Sequence, residues 1–221
     1  MHVAVNAAVS ADGKLSSRRR DRIAISGEAD FARVDRRRAA ADAVAVGVGT
    51  VLSDDPSLTR FDEPHRADVH GPDAAPPARV VVDSRCRTPP NAAVLRGDPA
   101  TYVLTSEAAS DTDRDALTAA GATLVTAGRE RVDLTAAFEA LAADGVEHLM
   151  VEGGGELIFS LFEAELVDDL STYVGNLVIG GRDAPTLADG EGFIEEFPGL
   201  SLDSVERVDD GVLLEWTVRD G

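Results

Sequence analysis

Three glycine-bearing or polar junctions follow directly on short apolar runs, which in an open α/β sheet is where ligands bind, outside the carboxyl ends of the strands. The richest is Glu152-Gly153-Gly154-Gly155-Glu156, between the run ending at Val151 and a helical pattern from Leu157 to Glu165. Consecutive glycines opening a helix expose backbone N–H groups at the positive end of its dipole, a natural seat for pyrophosphate. The spacing is neither the G-x-G-x-x-G of a dinucleotide fold nor a Walker lysine loop, so both standard nucleotide readings lose weight. Glu152, a carboxylate at a strand end, suits the amino groups of a substrate; its plainer role is a helix cap. In Val46-Gly47-Val48-Gly49-Thr50 the two glycines allow close approach and Thr50 offers a hydroxyl, although a tight turn needing positive φ explains the pair equally well. In Val81-Val82-Asp83-Ser84-Arg85, Arg85 or the nearby Arg87 could clamp a phosphate, where a solvated loop arginine is the ordinary alternative.

The elements that must position these junctions can be read from periodicity. Alternation from Val3 to Val9 predicts a strand, and Ser26 with Glu28 and Asp30 predicts a capped helix running to about Ala41. Ala43 to Val48 and Val80 to Asp83 are continuous apolar runs of the kind buried on both faces of a parallel sheet, with a helical turn from Thr50. Residues 61 to 78, with four prolines, two histidines and no periodicity, predict a loop. Strands near Tyr102 to Thr105, Thr123 to Val125 and His148 to Val151 alternate with helices near Asp111 to Ala120 and Leu134 to Ala143. That alternation predicts a mainly parallel sheet flanked by helices. Leu200 to Val208 and Val212 to Val218 flank Asp210-Gly211, the signature of an antiparallel C-terminal hairpin. The expected fold is α/β in one domain, residues 1 to 221.

Charge narrows the ligand. The formal net charge is −19, which repels nucleic acid and anionic membranes. Residues 1 to 40 run against this, with nine basic side chains against five acidic ones, net +4 in a chain otherwise at −23. An anionic small molecule fits that contrast, although Arg33, Arg36 and Arg37 are read as helix-face ion pairs. The surplus of carboxylates with a single lysine also fits a salt-adapted surface. One cysteine, Cys86, precludes an intrachain disulfide and a thiolate zinc cluster. The four histidines His2, His65, His70 and His148 are scattered, and no metal is expected. With no membrane-length apolar run and no signal peptide, a cytoplasmic location is expected.

Four stretches, Asn6 to Lys14, Asp42 to Leu58, Val80 to Pro89 and Leu149 to Glu156, occur in order and together resemble the riboflavin biosynthesis reductases. The likeness extends to Leu166-Val167-Asp168-Asp169 and to Gly180-Gly181 with Ala184-Pro185-Thr186. It implies a dihydrofolate-reductase-like fold, usually homodimeric, in which NADPH reduces the ribose C1′ of a phosphorylated ribosylamino-pyrimidine to a ribitylamino product. By that resemblance Thr50, Asp54, Val82, Ser84 and the run Gly153, Gly154, Gly155, Glu156 would hold NADPH, with Arg85 as phosphate clamp. Asn6, Ser10, Arg38 and Glu152 would face the substrate. A basic residue that meets substrate phosphate in the family has its counterpart in Arg60, one position early. The H-x-E and P-C-x-x-C deaminase motifs of many bacterial members are absent, as in the archaeal and fungal arrangement. The expected substrate is therefore 2,5-diamino-6-ribosylamino-4(3H)-pyrimidinone 5′-phosphate. Two other readings stay open: a dihydrofolate or other pterin reductase, and a non-catalytic NADP-binding protein.

Overall fold

A computed structural model describes residues 1–21 and 23–219; Arg22 of the basic segment lies outside the described residues. The elements in chain order are β1 (His2–Val9), α1 (Glu28–Ala40), β2 (Ala43–Gly47), α2 (Val48–Asp54), α3 (Glu63–His70), β3 (Ala78–Val82), β4 (Thr101–Thr105) and α4 (Asp111–Ala119). They continue with β5 (Thr123–Thr126), α5 (Leu134–Ala143), β6 (His148–Gly153), α6 (Gly155–Glu163), β7 (Asp169–Val174), β8 (Leu200–Val208) and β9 (Gly211–Val218). Among the described residues these nine strands form a mixed, mostly parallel sheet that finishes in an antiparallel hairpin. None of the described helices is long and apolar enough to cross a membrane.

The chain groups into two compact units, Asp35–Met150 with Met1, and His2–Val34 with Val151–Gly221. In the first, the strands run β5-β4-β3-β2-β6, and β2 pairs β3, β3 pairs β4 and β4 pairs β5 in parallel. Val44, Val46, Val81, Val103 and Leu117 share its buried core, as continuous apolar strands of a parallel sheet require. Asp133 and Ser110 start α5 and α4 by accepting the amides of Ala136 and Asp113, an arrangement worth about 1 kcal/mol per cap. In the second unit the order is β6-β1-β7-β9-β8, with β1 parallel to β7 and the last two strands antiparallel.

Three local expectations are corrected. Residues 61 to 78 contain α3, which lacks an apolar stripe and is held by polar groups. Asp62 accepts from the His65 amide, Pro64 sits in the first turn, and the buried Arg66 guanidinium donates to the carbonyls of Ala39, Ala41 and Ala75. The first turn of α1 is met from afar rather than by Ser26, since Asp209 accepts from the amides of Ala29 and Asp30 at 3.1 and 3.2 Å. The hairpin turns on Asp209 and Asp210, with Asp209 left-handed at φ 51°, while Gly211 is already the first residue of β9. Gly211 is required there because a Cβ would overlap the Tyr173 ring.

Candidate functional site

In the first unit the sheet brings two of the three junctions side by side. Gly47, the last residue of β2, is in register with Val82, the last of β3. α2 begins at once, anchored by buried Val48 and Val51, and its N-cap residue Gly47 supplies no side-chain hydrogen bond. First-turn N–H groups of such a helix are left for solvent or a ligand. A Cβ on Gly49 would meet nothing within 4 Å, so that position faces open space. Thr50 is half-buried in the first turn and Asp54 exposed in the last.

The turn after β3 is built on a buried carboxylate. Asp83 is fully buried, and its Oδ2 accepts from the Thr88 amide at 2.7 Å and the Thr88 hydroxyl at 2.8 Å. Its Oδ1 has no hydrogen-bond partner and lies 3.9 Å from Nε of Arg87. Cys86 is left-handed at φ 52°, with its thiol 3.2 Å from the Thr105 hydroxyl; burial pushes that thiol's pKa up. Such a thiol is a poor nucleophile. Arg85 and Arg87, the exposed neighbours of Cys86, line a cavity of about 380 Å³ together with Thr88 and Asp113. Ser84 is tied into the scaffold: its hydroxyl oxygen accepts from the Val132 amide and its carbonyl from the Ser106 hydroxyl.

Arg38 also lies in this unit, beside the arginine that the sequence places one position early. Arg38 donates to the Arg60 carbonyl at 3.1 Å, and both guanidinium groups meet Asp35, Arg60 at 2.7 Å and Arg38 at 3.6 Å. The Asp35 carboxylate thus stands between two guanidinium groups.

The second unit holds the triple-glycine turn, and its glycines differ in what they are needed for. Half-buried Glu152 and Gly153 end β6, so the strand runs two residues past its predicted end. Gly153 has φ 145° and Gly154 φ 92°, conformations that suit glycine alone, and Gly154 caps α6 without a side-chain bond. Gly155 is buried under the segment after Gly181: a Cβ there would overlap the Thr186 carbonyl and come within 2.7 Å of the Asp189 side chain. The Asp189 amide donates to the Gly155 carbonyl, fixing that segment on the turn. The outcome is a dipole end with no capping side chain, as an anion seat requires.

The Ser10 hydroxyl and the Asn6 side-chain carbonyl are both taken up by the scaffold. Ser10 is fully buried; its hydroxyl donates to Asp12 at 2.6 Å and accepts from the Lys14 amide at 3.0 Å. Asp12 also accepts from the amides of Ile179 and Gly180. These donors, the Ser10 hydroxyl first, hold the Asp12 carboxyl down at about 2. The turn after β1 is thereby fastened to the segment 177–186, which Lys14 also joins through its bridge to Thr186 and its Nζ bond to the Ala184 carbonyl. The Asn6 side-chain carbonyl accepts from Arg33 at 2.8 Å, and Arg33 also reaches Asp30 and Ser171. Arg33 therefore makes the expected ion pair within its helix and, beyond it, joins α1 to β1 and β7.

Asp12 and Asp83 are the site-shaping residues that sequence reasoning left without a role. Both lie inside motifs that were singled out, but their partners, Ile179 and Gly180 for one and Thr88 for the other, are revealed only by the folded chain.

Residues 1–214 match the family model described as the RibD C-terminal domain. A protein of Archaeoglobus fulgidus named 2,5-diamino-6-ribosylamino-4(3H)-pyrimidinone 5′-phosphate reductase is 44% identical over 95% of this chain and 94% of its own length. One of the same name from Methanothermobacter thermautotrophicus is 40% identical over 99% of this chain and 98% of its own. Among solved structures, a pyrimidine reductase-like protein from Corynebacterium diphtheriae matches with a TM-score of 0.86 at 16% identity, covering 100% of this chain and 92% of that one. At that identity the likeness carries the fold, and the fold is the reductase sheet expected from the sequence.

Proposed function

Because this chain belongs to the RibD C-terminal domain family, we propose that it reduces 2,5-diamino-6-ribosylamino-4(3H)-pyrimidinone 5′-phosphate to the ribitylamino product with NADPH as reductant. The observation that carries this reading is the near full-length match to two reductases of that printed name, at 44% and 40% identity. The chain then acts as one reductase domain, residues 1 to 221, in the cytoplasm and as a homodimer with a salt-adapted surface.

The residues fit a nicotinamide dinucleotide. A pyrophosphate suits the uncapped first turn of α6, which Gly154 opens, and a phosphate monoester suits the cavity lined by Arg85 and Arg87. In this reading Thr50, Asp54, Val82, Ser84, Arg85 and the run Gly153 to Glu156 hold the cofactor. Glu152 accepts hydrogen bonds from the amino groups of the substrate ring. The Arg38 and Arg60 pair around Asp35 meets the substrate 5′-phosphate. Ser10 and Asn6 act from behind, by fixing the turn and strand on which the substrate rests.

When bound, the reduced nicotinamide supplies a hydride. Opening of the ribose ring presents C1′ as the carbon of an imine; hydride adds to that carbon and a proton to the nitrogen, giving the secondary amine. The demand on the chain is orientation more than a reactive side chain, since placing two reactants in register lowers the barrier without covalent help.

The experiment is NADPH oxidation followed with the diamino substrate and its deaminated counterpart side by side. The proposal expects turnover with a clear preference for the diamino compound. Oxidation by dihydrofolate instead, or by no pyrimidine at all, would overturn it. Glu152→Gln should lower kcat/KM about 10- to 100-fold, the worth of a charged acceptor, while NADPH affinity stays within about twofold.

A further inference from the structure

We infer that the cavity between α3 and the loop 71–76 is a binding site for a small monocarboxylate with an apolar body, whose carboxylate meets the guanidinium of Arg66. The inference stands apart from the nicotinamide reading, because this cavity shares no residue with the seats assigned to cofactor and substrate.

The cavity is built around Arg66, which is 7% exposed and lines it. Three of the five guanidinium N–H groups are taken by carbonyls: Nε donates to Ala75 at 2.6 Å, and Nη1 donates to Ala39 at 3.0 Å and to Ala41 at 2.7 Å. The loop after α3 and the end of α1 thus grip the fork from two sides, and the N–H pair of Nη2 makes no hydrogen bond among the described residues. A guanidinium withdrawn from water calls for a counter-charge, of which carbonyl dipoles supply only part. Burial pulls the pKa of this group down, and the charge of Asp42 opposes that pull without forming an ion pair. A carboxylate at Nη2 would supply the missing charge and accept from the two free N–H groups.

The rest of the cavity sets what that carboxylate is attached to. Phe61, Ala67, Ala74, Pro72 and Pro76 give it apolar walls. Their frame is fixed before any ligand arrives: Gly71 turns the chain back after α3 at φ 96°, the Ala74 amide donates to the Gly71 carbonyl at 3.1 Å, and each proline has a locked φ. A preformed wall lowers the ordering cost of binding. The volume is about 260 Å³. Sites for drug-sized molecules run from about 300 to 1,000 Å³, so this one takes a single ring or a short branched chain. Glu63 stands on the wall as an exposed carboxylate, and its charge opposes a phosphate dianion more strongly than a carboxylate monoanion.

The test titrates the full 15N-labelled chain with benzoate, benzamide and sodium chloride by NMR, for the wild type, Ala67→Leu and Arg66→Lys. Benzoate should move the amide signals of Arg66, Gly71 and Ala74 with one dissociation constant. Benzamide, which keeps the ring and loses the charge, should bind about 10-fold more weakly or worse. At about 100 times its dissociation constant, benzoate should also raise the melting temperature by several degrees. Ala67→Leu fills the cavity from α3 while the carbonyl bonds of Arg66 stay in place, and it should abolish the shifts with a melting temperature close to that of the wild type. Arg66→Lys keeps a charge but loses the fork, and it should weaken benzoate about 10- to 100-fold. Where Arg66→Lys fails to fold, Ala67→Leu decides the matter. Benzoate binding that survives in Ala67→Leu, equal affinities for benzoate and benzamide, or no movement of these signals in the wild type would overturn the inference. Chloride that moves the same signals at concentrations no higher than benzoate would show an anion seat with no use for the apolar walls, and would overturn the ligand class.

Discussion

The turn after β3 and the turn after β6 offer an anion two different kinds of seat. After β6 the seat is main chain: Gly153 and Gly154 take φ values of 145° and 92°, no side chain caps α6, and Gly155 is pressed beneath Thr186 and Asp189. After β3 the seat is side chain: Arg85 and Arg87 stand on a turn held from inside by Asp83. Main-chain N–H groups and a helix dipole accept any phosphate of the right reach, so under the proposed function they would supply affinity common to both nicotinamides. In that reading guanidinium groups placed at the ribose add a term only where the 2′-phosphate is present. Under the proposed function affinity and selectivity would fall on separate segments, and substitutions should separate them.

The largest effect is expected at Gly155. Gly155→Ala puts a methyl group into the Thr186 carbonyl, which should cost up to about 3 kcal/mol of stability and weaken NADPH and NADH alike. Thermal unfolding together with cofactor titration checks both parts, and an unchanged melting temperature would show that segment 186–189 yields easily. Next is Arg85→Ala, expected to lower NADPH affinity about 10- to 100-fold and NADH hardly at all; equal losses for the two would erase the proposed division of labour. Gly153→Ala comes third. A Cβ there meets nothing within 4 Å, so only the backbone strain at φ 145° counts, about 1–3 kcal/mol in unfolding experiments.

The smallest effect concerns acid stability. The Asp12 carboxyl is depressed from 3.8 to about 2, so its contribution is fully present above the unfolded value and is lost as the pH falls through the folded one. Asp12→Asn should therefore be less stable than the wild type at neutral pH, with the gap closing between about pH 4 and pH 2. A gap that stays constant through that window would show that Asp12 holds the turn by shape rather than by charge.

What could be read from the residues, and what could not, follows the range of the interactions. The buried runs at Ala43 to Val48 and Val80 to Asp83 were legible because a strand enclosed on both faces needs no partner to identify it. All three junctions fall at strand ends for the same reason. α3 was missed because its anchor, Arg66, bonds to carbonyls at 39, 41 and 75, an arrangement that leaves no hydrophobic period. The cap of α1 was misplaced because its acceptor, Asp209, lies 180 positions from Ala29. The same limit applies in the candidate site. The composition of the glycine turn was visible, but that Gly155 is also packed beneath Thr186 and Asp189 was not. Ser10 and Asn6 stand inside legible motifs, yet their bonds to Asp12 and Arg33 depend on the folded chain.

The proposed function takes a nicotinamide dinucleotide as the ligand of these residues, and the most direct measurement of that proposal is an NMR titration of the 15N-labelled chain with NADPH. The account predicts that the amide signals of Gly154 to Leu157 and of Ser84 to Thr88 move together with a single dissociation constant, and that with NADH the first set still responds while the second responds less. Signals that move elsewhere in the chain while both of these sets stay still would contradict it.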